Sequence, residues 1–190
     1  MRTSAARFIS IVGHPFVLLP LLVFLPRFQN NIGDAFRTTI AFVVIVFVPL
    51  ALLIWRSVSS GEWRTVDASD KANRPVLYKT SIGVIAVAIA YFYFVDHSLE
   101  VARGCFVTSG MLLLAALLNR WCKISLHITF ACFCGILLSR VRLSYGIPVL
   151  LLLPPLIWSR LVLSRHVLSE AIGGVVLGSA GAACLIWLSH

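Results

Sequence analysis

Ser159-Arg160, five residues, His166, three residues and Glu170 bring a guanidinium, an imidazole and a carboxylate into one short stretch. Residues four apart share a helix face, so Glu170 is within reach of one ring nitrogen of His166. That contact fixes the tautomer and leaves the other nitrogen as a nucleophile. Arg160 adds a planar, permanently charged fork suited to phosphate oxygens. Together these residue types support displacement at phosphorus. They also fit a plainer role as the charged cap of a helix, in which Glu170 favours the helix dipole.

Two further clusters hold chemistry-bearing side chains. One contains Asp67, Asp70, Lys71, Arg74 and Pro75; the other contains Asn119, Arg120, Lys123, Ser125 and His127. Lys123 is a candidate for the same phosphate-holding role as Arg160. Arg165, read on a helix through this segment, points about 100° away from His166, toward lipid headgroups. His14, before Pro15, reads as a packed or interfacial residue. His97, with Asp96 and Glu100, reads as solvated loop on the far side. No cluster resembles a metal cage, and none of the five cysteines forms a CxxC pair; neither a metal, another cofactor nor a disulfide is expected.

The elements that must position these residues are membrane helices. Of 190 residues, 59% are hydrophobic and 12% are charged, against roughly 25% charged in soluble domains. Mean hydropathy is +0.96. The composition excludes a soluble globule, a disordered chain and a coiled coil, and predicts an all-α, polytopic helix bundle as one integral membrane domain over 1–190. Seven apolar runs approach the 20 or so residues of a span: Phe8–Pro26, Thr38–Trp55, Val76–Val95, Gly104–Leu118 (extending back toward Leu99), Ile128–Ser139, Leu143–Trp158 and Ala171–Leu188. The fifth and sixth are short and fit either tilted spans or half-embedded helices, so the bundle has six to seven crossings. The first run lacks a small-residue cleavage site and contains Pro15 and Pro20, which reads as an uncleaved span. Pro148 and Pro154-Pro155 predict kinks in the sixth. Trp55, Trp63, Trp121, Trp158 and Trp187 fall near span ends, as an interfacial belt requires.

Parity then joins the clusters. Two spans separate each cluster from the next, and losing the fifth and sixth runs together leaves that count even. All three therefore lie on one membrane face. The net charge of +9 sits in short gaps between spans, which points to topology and anionic lipid rather than nucleic acid.

In that order and placement the residues resemble the type 2 phosphatidic acid phosphatase superfamily. The SRxxxxxHxxxE pattern from Ser159 to Glu170 is similar to its third signature, with Glu170 where Asp is usual. Ile124-Ser125-Leu126-His127 resembles the PSGH signature with only Ser and His kept. Lys71-Ala72-Asn73-Arg74-Pro75 resembles the end of KxxxxxxRP, with Asp67 at the expected Lys position and Lys71 one turn before Arg74. The resemblance covers about 67–178, a phosphatase-like core, and includes Gly174 and Gly178 as packing glycines. It implies that His166 attacks phosphorus to form a phosphohistidine, that Glu170 orients it, and that His127 protonates the leaving oxygen and then activates water. Lys71, Arg74, Arg160 and Ser125 would hold the phosphate. The implied substrate is a lipid phosphate: an isoprenoid diphosphate, phosphatidate, phosphatidylglycerol phosphate or a related monoester.

Competing readings are separable. A membrane prenyltransferase needs DDxxD motifs and a CDP-alcohol transferase needs DGxxAR; neither occurs. A transporter, or a scaffold whose basic cluster binds anionic lipid, should carry ionisable residues mid-span. Here they gather at one end. Most Lys and Arg residues fall on the motif side, which puts the site in the cytoplasm by the positive-inside rule, while many relatives work on the outer face.

Overall fold

The computed structural model describes residues 2–63 and 73–190. The described residues form seven helical crossings, six of them long and apolar enough to span a membrane. Helices α1 (Arg2–Val12) and α2 (Pro15–Phe28) make the first crossing, broken at Gly13-His14. His14 caps α2, its Nδ1 accepting from the Phe16 amide at 3.1 Å. Proline at the next position suits a helix start, where its missing N–H costs nothing.

Helices α3 (Ile32–Phe42) and α4 (Val48–Ser59) make the second crossing, joined by a π-helical turn over Val43–Phe47. Pro49 follows at the start of α4. It has no N–H for the carbonyl four residues back, and a wide turn absorbs that gap. Helices α5 (Arg74–Phe94) and α6 (Leu99–Leu118) pack side by side as the third and fourth crossings.

Helix α7 (Leu126–Val141) is the axis of the bundle. Every residue from His127 to Gly135 is buried, and α7 packs on α2, α8, α9 and α10. Its 16 residues reach about 24 Å, short of a hydrocarbon core of about 30 Å. A helix enclosed by protein need not match that thickness. The run that reads as short in the sequence is therefore a buried helix of the bundle, packed on α2, α8, α9 and α10.

Helices α8 (Leu143–Leu151) and α9 (Leu153–Val162) form the next crossing, long enough to span. Its break at Leu152 precedes Pro154-Pro155, which cannot donate to the carbonyls of α8. Helix α10 (Leu168–Leu188) closes the bundle against α7 and α6. Gly174 and Gly178 set its approach to α7: a Cβ at Gly178 would lie 2.3 Å from the Thr129 carbonyl oxygen, and one at Gly174 would lie 2.9 Å from that of Ser125. Only bare backbone fits there.

Trp55, Trp121, Trp158 and Trp187 are exposed, whereas Trp63 is buried, its amide donating to the Ser57 carbonyl. At the end away from the three clusters, Arg37 pairs with Asp34 at 2.8 Å and with Asp96 at 3.3 Å. The Asp96 side chain is 1% exposed and accepts from Ser98 Oγ. Asp96 is thus a buried ion-pair partner, not the solvated loop residue that its sequence setting predicts.

Candidate active site

The start of α5, the start of α7 and the α9–α10 turn meet at one end of the bundle. Arg74, His127, Arg160 and His166 line one cavity of about 100 Å³ there. All four are buried, with Arg160 at 1% exposure and Arg74 at 4%. Two guanidiniums at this depth are costly unless their donors are used.

Local folding explains how each is held. Arg74 opens α5; its Nη1 donates to the Ile124 carbonyl at 2.8 Å and reaches Tyr78 Oη at 3.4 Å, while Nη2 lies 3.5 Å from His166 Nε2. All three partners are neutral. Arg160, on the last turn of α9, donates from Nη1 to Ser10 Oγ at 2.8 Å, and Ser159 Oγ donates to the Ala6 carbonyl at 2.6 Å. Helix α1 therefore braces the Ser159-Arg160 pair. Its close approach needs Gly13, where a Cβ would lie 2.7 Å from Leu156 Cδ1.

Contrary to what their four-residue spacing predicts, His166 and Glu170 do not lie on one helix. Helix α9 stops at Val162, Ser164 adopts a left-handed conformation with φ 52°, and α10 begins at Leu168. The amide of Ser164 donates to Leu161 and that of Arg165 to Arg160, the double closure of a Schellman turn. His166 thus precedes α10, and Glu170 sits in its first turn. The pair still meets, because an acid in the first turn folds back over the helix start. His166 Nδ1 donates to Glu170 Oε2 at 2.7 Å, and the same oxygen accepts the Val167 amide at 3.3 Å. Arg165 lies in the turn itself, half-buried, not on a helix face directed at headgroups.

Electrostatics keep this imidazole neutral. Burial, followed by the positive charges of Arg74, Arg160 and Lys123, pushes His166 down to about 2. With its proton on Nδ1 against Glu170, the lone pair stands on Nε2, beside Arg74. A neutral imidazole so oriented can act as a nucleophile or as a base.

The other residues singled out in the sequence take varied positions. His127 lines the cavity, and its Nε2 is buried with no hydrogen-bond partner among the described residues. Ser125 is fully buried, its Oγ likewise without a partner among them, and its amide donates to the Glu170 carbonyl at 3.2 Å. That bond ties the loop before α7 to α10, outside the cavity lining. Lys123 Nζ donates to the Arg165 carbonyl at 2.7 Å; it fastens the turn and does not line the cavity. Lys71, with Asp67 and Asp70, lies outside the described residues.

His14 is packed, as its sequence setting reads, but it packs into the site itself. It lines the cavity with Arg74 and the two other histidines, its ring edge-on to that of His127 with centroids 4.7 Å apart. The available signal was a Gly-His-Pro break inside an apolar run, which marks a helix start but not the direction of its side chain. Among the described residues, no three His, Cys, Asp or Glu side chains group as a cation cage.

The chain matches no family model, no curated protein and no solved structure.

Proposed function

We propose that the protein is a membrane phosphatase that hydrolyses a lipid phosphate through a phosphohistidine, in the manner of the type 2 phosphatidic acid phosphatases that its motifs resemble. The observation that carries this reading is His166: Nδ1 is held by Glu170, and Nε2 opens beside the buried Arg74 into a cavity shared with His127 and Arg160. A basic patch for lipid adhesion, as a scaffold would present, has no use for a carboxylate-oriented neutral imidazole.

In this mechanism the phosphoryl group enters between the two arginines. Its oxygens compete for Arg74 Nη2 and so uncover the Nε2 lone pair. Nε2 attacks phosphorus in line with the leaving oxygen, the P–O bond breaks, and His127, protonated once the bound phosphate offsets the two guanidiniums, gives its proton to that oxygen. Water then attacks the phosphohistidine while His127 takes its proton, releasing inorganic phosphate and restoring His166. The guanidiniums hold the equatorial oxygens through both steps, where charge stabilisation and alignment supply most of the rate. Lys71 belongs to this reading as a further phosphate-holding group, while Ser125 ties the loop before α7 to α10 and Lys123 fastens the turn that carries His166. The site lies at one end of the bundle, so the phosphate is met at a membrane face while the chain stays in the apolar layer.

The test is phosphate release by detergent-purified protein from a panel of isoprenoid phosphates and diphosphates, phosphatidate and phosphatidylglycerol phosphate. Release from at least one of them, retained in EDTA and lost in His166→Ala, is expected. No release from any, or full activity in His166→Ala, overturns the reading.

A further inference from the structure

A second cavity, of about 460 Å³, occupies the other end of the bundle, walled by α2, α6, α7 and the end of α10. Its size is that of a small-molecule site, which is roughly 300–1,000 Å³. Four side chains, Leu19, Val46, Ile85 and Thr108, line both this cavity and the one beside His166. The two spaces abut at that collar along the bundle axis. The smaller holds a phosphoryl group but no lipid chain. The larger is mostly apolar until its far rim, where Arg27, Arg103 and Arg140 stand.

We propose that the single hydrocarbon chain of the lipid phosphate threads the collar and lies inside the larger cavity, which makes the bundle interior a ruler for chain length. The inference rests on the phosphatase reading above and adds the class of lipid. Four side chains frame the collar, a girth suited to one hydrocarbon chain rather than to the two of a diacyl lipid. The substrate is therefore a single-chain amphiphile, such as an isoprenoid or alkyl phosphate. Its length is bounded, because an apolar tail that reaches the three arginines meets their solvation shells. A tail leaving bilayer or micelle for this cavity exchanges one apolar medium for another, so selection comes from fit, not from hydrophobic transfer.

The test uses purified protein in mixed micelles with a ladder of single-chain alkyl phosphates and one two-tailed phosphate monoester, a dialkylglycerol phosphate, at fixed mole fraction. The expected kcat/KM rises with chain length to an optimum, then falls, and the two-tailed monoester is poor. Leu185→Trp, in the far wall, moves the optimum to shorter chains and cuts the ratio of longest to shortest by roughly tenfold. Wild-type protein supplies a measurement independent of variant folding. An alkyl phosphate with a terminal photoreactive diazirine should label the far-cavity residues Val101, Cys105 or Ile186. Labelling only of outward-facing residues such as Phe106 or Trp187 overturns the proposal. Phosphate release with no chain-length dependence rejects the ruler and leaves the phosphatase reading intact. No release at any single-chain length overturns the ruler, and the lipid panel above then decides the phosphatase reading.

Discussion

The backbone carbonyl of Arg160 accepts hydrogen bonds from the amides of both Arg165, at 3.0 Å, and His166, at 3.3 Å. The side chain proposed to grip phosphate and the imidazole proposed to attack it are thus joined through one turn, with five residues between them. Relative motion between them requires breaking that closure.

The turn depends on Ser164 at φ 52°, a conformation that costs a side-chain-bearing residue roughly 1 kcal/mol. Ser164→Gly should raise the melting temperature in detergent, with a gain of up to about 1 kcal/mol once the greater freedom of the unfolded glycine is offset. Ser164→Val should lower it. Thermal unfolding of the three proteins checks the order.

Helix α10 carries Glu170 and must stay close to α7, which carries His127. Gly178→Ala places a methyl group 2.3 Å from the Thr129 carbonyl oxygen. The helices must separate, costing about 1–3 kcal/mol and moving His127 away from His166. Gly83→Ala, with open space around the added carbon, is the matched control and should behave as wild type. Stability and phosphate release of both variants test the contrast.

His14 both caps α2 and lies against His127. His14→Ala should cost about 1 kcal/mol, as other lost N-caps do, and should lower turnover. His14→Asn restores a capping side chain without the ring. Recovery of stability without recovery of turnover would assign the ring a role beside His127; recovery of both would reduce His14 to a cap.

Acidification tests the buried imidazole. In the folded protein His166 is pushed down to about 2, while unfolded histidine titrates near 6.5. Between those values the unfolded chain binds the extra proton, so stability rises with pH across the window and this contribution is complete above about 6.5. The wild-type melting temperature should therefore fall as pH drops below about 6.5, and His166→Asn should flatten that slope. An unchanged slope in the variant would contradict the assignment.

The crossings and the gathering of the site were legible because both follow from coarse signals. Apolar runs mark spans, and an even count between clusters puts Arg74, His127 and His166 at one end whatever the exact bounds. The finer geometry was hidden by substitutions of the usual markers. A glycine at 164 would have announced the turn, but Ser164 takes the left-handed position instead, which hid where α10 begins relative to His166. The contact between His166 and Glu170 was foreseen for the wrong reason: their spacing is right both along one helix and across a helix start. Lys123 was read as a phosphate ligand because charge has no direction in a sequence; the structure adds a bond from its ammonium to the Arg165 carbonyl. His14 was passed over because its partner, His127, is more than one hundred residues distant in sequence.

Direct detection of the covalent intermediate bears most closely on the central claim. Purified protein would be mixed with a single-chain lipid phosphate carrying a radioactive phosphoryl group, quenched in alkali within the first turnover, and digested for peptide mapping. The account predicts label that is stable to base and labile to acid, on the peptide containing His166, and none in His166→Ala. Turnover by the wild-type protein with no label at any quench time, or with label on a residue other than His166, would contradict it.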